Sequence, residues 1–525
     1  MTLGSRALTI RSALGLPLLL SLTACPSPPA ANDDEADGQS ESNDTTESDT
    51  GPALDYAFPE GFVWGFAVAG FQAEPGCPTL APAQCEDPNS DWYQWVSDPE
   101  LIADPSTHLS GDPLSAAPGM FELYDADFAR AGDELHLGIA RLSIEWSRLF
   151  PDGAAEAATS VDELAAFADP EAVAYYHDLF ASARGHGLEL LVTLNHYTLP
   201  LWIHDGKACH QDLASCVDRG WLDRDRILPA IALYAGFCAR EFGAEVDLWA
   251  TLNEPLAVVV SGYLLASASR TNPPGLNLAV DEAVDVLFNM AEGHIGMYDQ
   301  IHVEDGVDAD GDGVLAMVGP VMNLAPTVPA DPGNPADVQG AEHADYLYNR
   351  VFLNVLANGA FDRNFDGVAE EIIPDFASKL DFTGVNYYSQ ITVTGTAGPV
   401  FPDYPLFDFL PDTGDLFASY PEGIAEVVAI ADEYERPIYI TENGSPDIAE
   451  QNAEDFLIPH LQALHGAIAA GYDVRGYMYW TLVDNYEWNH GMQLRFGLYA
   501  LEDDKQRTLR PVGAALGEIA AQNGF

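Results

Sequence analysis

Two glutamates stand where an apolar run would not ordinarily place a carboxylate. Glu442 comes near the end of "PIYITEN", two residues before the breaker Gly444, and Glu254 ends "LWATLNE" just before Pro255. A carboxylate inside a buried strand faces a heavy desolvation cost, whereas one at an open strand end can be solvated or paired. Taken singly, each reads as a salt-bridge or capping residue. Taken together across a cleft, they can divide labour, one giving a proton to a leaving oxygen and the other attacking the carbon behind it. Other apolar runs finish in groups of the same kind: Arg141 and Glu145, Asn195 and His196, Asn253, Asn386 and Tyr388, Trp480 and Asp484.

Something must bring these ends together. Apolar runs occur at 62–69, 139–146, 189–196, 248–254, 314–322, 382–388, 437–443 and 476–484. Helix-like segments such as "DPEAVAYYHDLFASARGHG" and "PAIALYAGFCAREFG" lie between most of them. Near-continuous apolar strands alternating with amphipathic helices indicate a parallel sheet covered by helices. Eight such units in one domain predict an α/β fold, a single (β/α)8 TIM barrel, whose C-terminal strand ends gather on one face. A doubly wound open sheet is the alternative, but no glycine-rich phosphate loop follows the first strand.

The stretches "FPEGFVWGFAVAGFQAE", "ARLSIEWSRLFPDG", "TLNHYTLPLWI", "TLNEP", "DFTGVNYYS", "ITENG" and "WTLVDNYEWNHGMQLRFGL" occur in this order from Phe58 to near the C-terminus. They resemble glycoside hydrolase family 1, the β-glucosidase and β-galactosidase family, with "AGFQAE" and "EDPNSDWYQWVSDPE" closest to its archaeal-type branch. The resemblance implies a retaining, exo-acting β-glycosidase with Glu254 as acid/base and Glu442 as nucleophile, and the two carboxyls about 5–5.5 Å apart. Arg141, Tyr388 and Asn386 would support the pair, Arg141 by lowering the pKa of Glu442. Gln72, His196, Asn253, Glu487 and Trp488 would hold sugar hydroxyls, with Trp480 as the platform beneath the ring. Two positions depart from the family habit: Tyr197 stands where Trp or Phe is usual, and Phe71 precedes Gln72 where Tyr is common. Glu487-Trp488 and the scarcity of lysine argue against a phosphorylated sugar.

Charge narrows the partners. Against 82 acidic residues stand 21 basic ones, for a formal net charge of −61, and only Lys207, Lys379 and Lys505 are lysine. Such a field repels nucleic acid and anionic lipid headgroups. Arg6 and Arg11 precede "SALGLPLLLSL" and the sequence Leu22-Thr23-Ala24-Cys25, which resembles a bacterial lipobox. We therefore expect residues 1–24 to be a lipoprotein signal peptide, with export and lipidation of Cys25. Residues 25–55, small, polar and acidic, would form a disordered tether, and 56–525 the catalytic domain. Pro26, rather than Asp, favours the outer membrane or cell surface over inner-membrane retention. Contact with a membrane is expected only through that lipid.

Cys77 with Cys85 and Cys209 with Cys216 are expected to form short-range disulfides, leaving Cys238 as a buried thiol. The chemistry calls for no cofactor. Two acidic loops place alternate carboxylates before a glycine, "DADGDG" at 308–313 and "DRNFDG" at 362–367. Asp308, Asp310 and Asp312, or Asp362, Asn364 and Asp366, can converge on one hard cation, with Glu370 as a further ligand in the second loop. Neither has Glu at position twelve, where Gly319 and Ile373 stand. A structural calcium in at least one loop is weighed against plain acidic turns. Two other functions remain to be separated from glycoside hydrolysis: a catalytically silent sugar-binding lipoprotein, and a transglycosylase on the same scaffold.

Overall fold

The computed structural model describes residues 54–412, 417–446 and 453–525. The expected signal peptide, Cys25 and nearly all of the tether lie outside them.

Eight strands close into a parallel barrel. They are β1 (Val63–Ala67), β2 (Ile139–Ser143), β3 (Glu189–Asn195), β4 (Leu248–Asn253), β5 (Met317–Asn323), β6 (Thr383–Asn386), β7 (Ile438–Asn443) and β8 (Val474–Trp480). Each pairs with its sequence neighbours, and β1 closes the ring on β8 with Val63 opposite Gly476 and Ala67 opposite Trp480. Every residue of β2, β6 and β7 is buried. Helices cover one face and the barrel interior fills the other, so these strands need no alternation of polar residues.

The helices start where the sequence supplies caps. Asp169 accepts hydrogen bonds from the Glu171 and Ala172 amides, and Pro170 occupies the first turn of the helix Pro170–Gly185. Its preset φ and missing N–H suit that position. Helices Arg224–Phe242 and Val280–Glu304 pack against each other outside β3 to β5. Short sheets decorate the barrel, including Thr327–Pro329, Ile391–Gly395 and Phe409–Asp412 in one three-stranded unit.

All eight expected strands form, but six of the eight stop short of the expected end. β2 ends at Ser143, β6 at Asn386 and β8 at Trp480, so Glu145, Tyr388 and Asp484 lie on the loops beyond. Apolar content carries on past the point where the chain leaves the sheet, because the loops at the barrel mouth are themselves packed. Both expected disulfides are present, Cys77–Cys85 and Cys209–Cys216, and Cys238 is free and buried.

Candidate active site

Local irregularity aims both carboxylates. The register of β7 slips against β6 between Ile440 and Glu442, and against β8 between Ile440 and Asn443. Such a bulge turns a side chain away from strict alternation. Gly444 then lets the chain pass close to β8, since a Cβ there would lie 2.1 Å from the Trp480 carbonyl oxygen. β4 also slips against β5, between Ala250 and Asn253. Pro255 opens a short helix, and Glu254 occupies the joint with left-handed backbone, φ 47 and ψ 63. Tyr197 at φ 71 and Trp488 at φ 47 share that region. A non-glycine residue there costs about 1–3 kcal/mol, and such strain gathers at functional sites.

Glu254 and Glu442 line one pocket with His196, Tyr197, Asn253, Arg270, Tyr388, Phe417, Trp480, Glu487, Trp488 and Phe496. Arg141, fully buried beneath it, organises the floor. Its Nη1 bonds Glu442 Oε1 at 2.5 Å, its Nη2 donates to Asn253 Oδ1 at 2.7 Å, and its Nε donates to Thr193 Oγ1 at 3.1 Å. Tyr388 donates its hydroxyl to the other oxygen of Glu442 at 2.6 Å. Glu254 receives Asn386 Nδ2 on Oε1 at 2.9 Å and the Tyr197 hydroxyl on Oε2. Asn386 also bonds Asn253 Oδ1 at 3.1 Å and accepts from Thr441 Oγ1 at 2.8 Å, tying the two carboxylates into one network.

A second cluster adjoins the first. Gln72 Nε2 donates to Glu487 Oε2 at 2.9 Å, and Arg270 Nη1 lies 3.4 Å from Glu487 Oε1. Gln72 Oε1 is buried and has no protein partner. Asn253 Nδ2 donates to His196 Nε2 at 2.9 Å, which leaves Nδ1 of a neutral ring to donate to Ser143 Oγ at 3.3 Å. Burial, with the charges of Arg141 and Arg270, holds His196 well below its ordinary pKa, so the ring is neutral.

At Glu442 burial outweighs every other influence and pushes the carboxyl up to about 7. Arg141 pulls it back, the charge of Glu254 pushes it further up, and hydrogen bonds from Tyr388 and Arg141 pull it down. The direction is opposite to that expected from Arg141 alone, because a wholly buried carboxylate loses more hydration than one cation replaces. Burial also raises Glu487, against Arg270 and the Gln72 hydrogen bond.

A pair of buried carboxylates at the mouth of an eight-stranded barrel can transfer a proton and attack an acetal carbon. The sequence profile of Glycosyl hydrolase family 1 matches residues 54–525. The chain belongs to glycosyl hydrolase family 1. A β-galactosidase of Pyrococcus woesei is 33% identical over 509 residues, covering 89% of this chain and 98% of that protein. A β-galactosidase of Saccharolobus solfataricus is 30% identical and covers 90% and 96%. The crystal structure of a β-glycosidase from Thermosphaera aggregans superposes with a TM-score of 0.76 at 27% identity, covering 89% of this chain and 98% of that one.

Within this family 1 chain, the barrel brings Arg141, His196, Asn253, Glu254, Asn386, Tyr388, Glu442, Trp480, Glu487 and Trp488 to one mouth, with Gln72 behind Glu487. Three other strand-end groups have structural partners. Asp484 takes a two-pronged ion pair from Arg510, at 2.7 Å on each oxygen. Asn195 Nδ2 donates to the Thr198 carbonyl. Glu145 accepts from the Phe71 amide and from Thr198 Oγ1.

Burial, with the charge of Glu74 adding to it, pushes Glu145 up to about 8 from 4.5. The folded chain therefore holds this proton more tightly than the unfolded one, and stability falls as pH rises from about 4.5 through about 8. Glu145→Gln is expected to unfold at higher urea than wild type at pH 9, with little difference at pH 4. Identical midpoints at pH 9 would refute this reading.

Sequence reasoning missed Arg270, which reaches the pocket from an irregular loop after β4 with no periodicity to mark it. The acidic loops also differ in detail. Asp308 and Asp310 converge with Asp247, while Asp312 accepts the Val314 amide instead. Asp362, Asp366 and Glu370 converge, and Asn364 turns its amide onto Asp366.

Proposed function

We propose that this chain is a retaining exo-β-glycosidase acting on terminal β-D-glucosides or β-D-galactosides, with Glu442 as nucleophile and Glu254 as acid/base. The observation that carries it is the unlike grip on two carboxylates in one pocket. Glu442 is held by a guanidinium and a phenol, Glu254 by an amide and a phenol. Glu442 attacks the anomeric carbon as Glu254 gives its proton to the departing glycosidic oxygen. The C–O bond breaks and a glycosyl ester forms on Glu442. Glu254, now a carboxylate, takes a proton from water as the water oxygen attacks the same carbon, and the ester bond breaks. Two inversions leave the product β.

Glu487, Gln72, Asn253, His196 and Trp488 suit the sugar hydroxyls, and Trp480 the apolar face of the ring. The unpartnered Gln72 Oε1 calls for a hydroxyl donor, since a buried acceptor left empty costs about 1–3 kcal/mol. Galactosides fit the names borne by the two sequence relatives. No step requires a cofactor.

Nitrophenyl β-D-glucoside and β-D-galactoside test the proposal. Release above background, with the β-anomer appearing first by NMR, is expected; first appearance of the α-anomer would overturn the double displacement. A silent sugar-binding protein would release nothing. A transglycosylase would form longer glycosides as the acceptor sugar is raised.

Residues 1–25 suit an exported lipoprotein, and metabolic labelling of Cys25 with a radioactive fatty acid tests that. The carboxylates of Asp362, Asp366 and Glu370 suit a structural Ca²⁺. Calorimetric titration of the chelated protein with Ca²⁺, giving no heat and no stabilisation, would dispose of it.

A further inference from the structure

Tyr197 stands two residues beyond β3, and its hydroxyl donates to Glu254 Oε2. It is 5% exposed, so the contact is shielded from solvent. Its ring packs against Trp488 at 4.7 Å and His196 at 5.4 Å between centroids. Both ends of the hydrogen bond are held in left-handed backbone, φ 71 at Tyr197 and φ 47 at Glu254. Such geometry persists only where the surroundings over-determine it. The carboxyl of Glu254 is thus gripped on Oε1 by Asn386 from β6 and on Oε2 by Tyr197 from the loop after β3. A rotatable carboxyl held on one oxygen alone can swing about its last bond.

We propose that Tyr197 is a positioning residue for Glu254, its hydroxyl fixing the carboxyl rotation in which the proton meets the leaving oxygen. This rests on Glu254 being the acid/base. A Trp or Phe at this position would supply ring volume without a phenol. Burial and the charge of Glu254 push the Tyr197 hydroxyl well above the ordinary tyrosine pKa, so it stays a neutral donor. The same grip serves the second step, when Glu254 must draw a proton from water.

Tyr197→Phe keeps the ring and removes the hydroxyl, and Glu254→Ala is the reference. Leaving groups separate the cases, because 2,4-dinitrophenolate departs without a proton and an alkoxide does not. For an alkyl β-glucoside, kcat/KM of Tyr197→Phe is expected to fall about 10- to 100-fold, as for loss of one hydrogen bond to a charged group. For the dinitrophenyl glycoside kcat/KM should stay within about twofold, while kcat and KM fall together because the ester is hydrolysed more slowly. Azide, which needs no base, should restore kcat and yield the β-glycosyl azide. Glu254→Ala should show the same signature more strongly.

Equal losses on both substrates would mean that Tyr197 acts only through packing, and no loss on either would mean that its hydroxyl is idle. Either overturns the proposal. If Glu254→Ala itself shows no dependence on the leaving group, the assignment of Glu254 fails first. Urea unfolding of Tyr197→Phe at the wild-type midpoint would show that the fold is intact.

Discussion

Glu442→Ala should hydrolyse a nitrophenyl β-glucoside at least about 10⁴-fold more slowly than wild type, the scale seen when a nucleophile is deleted. The reason is geometric. Among the described carboxylates that line the pocket, no other is held by both a cation and a phenol. Deleting the side chain opens space for a small anion, so azide or formate should restore turnover. The azide product from a β-glucoside would then be the α-glycosyl azide, after one inversion instead of two. Activity within tenfold of wild type would remove Glu442 from the chemistry.

The pH dependence follows from burial. As the proposed nucleophile Glu442 must be ionised to attack, and its carboxyl is raised from 4.5 to about 7. Hence kcat/KM should fall on the acid side of about pH 7, well above the ordinary carboxylate range. Stability has the opposite sign, because the folded chain binds this proton more tightly than the unfolded one and ionisation between 4.5 and about 7 works against the fold. Glu442→Gln is therefore expected to be inactive, and its urea midpoint relative to wild type should rise between pH 4 and pH 8, on top of any constant cost of losing the pair with Arg141. A gap unchanged between the two pH values would contradict this account.

Arg141→Met should be the second most damaging change. It removes the salt bridge to Glu442 and the hydrogen bonds to Asn253 and Thr193, all below the pocket floor. Breaking a buried pair by removing one partner costs about 3–5 kcal/mol. Part of that loss should appear as a lower unfolding midpoint. The larger part should appear as a drop in kcat/KM of about 10³-fold, equivalent to about 4 kcal/mol of transition-state stabilisation. Without Arg141 only the Tyr388 hydrogen bond offsets burial at Glu442, so the acid limb should move to still higher pH. Arg141→Lys should not rescue it, since one ammonium cannot span Glu442, Asn253 and Thr193 in the fixed fork that guanidinium provides. A lysine variant at wild-type rate would show that charge alone suffices.

Little of this site was legible one residue at a time; the pattern across several strand ends carried it. Polar groups ending apolar runs identified Asn253, Asn386 and Glu442, because a strand buried on both faces tolerates them where the barrel opens. Arg141, expected at such an end, is the middle residue of β2 and is tolerated there through its pairing with Glu442. The same signal also drew in Glu145, Asn195 and Asp484, which lie near the same ends but are bonded to Thr198 and Arg510. Residue type cannot tell those cases apart. Arg270 was invisible because its loop has no period, and only packing carries a guanidinium from there to Glu487.

Local chemistry was therefore written along the chain: the strand periods, the prolines and glycines that end them, the half-cystine spacings, and the side chains able to exchange protons. Which of those side chains meet, and what they do to one another, was decided by the closed barrel. The direction of the Glu442 shift, the phenol of Tyr197 on Glu254 and the arrival of Asp247 beside Asp308 all depend on distances between segments far apart in sequence. Hydrogen bonds and dielectric act through space over a few ångströms, and sequence separation does not encode that distance.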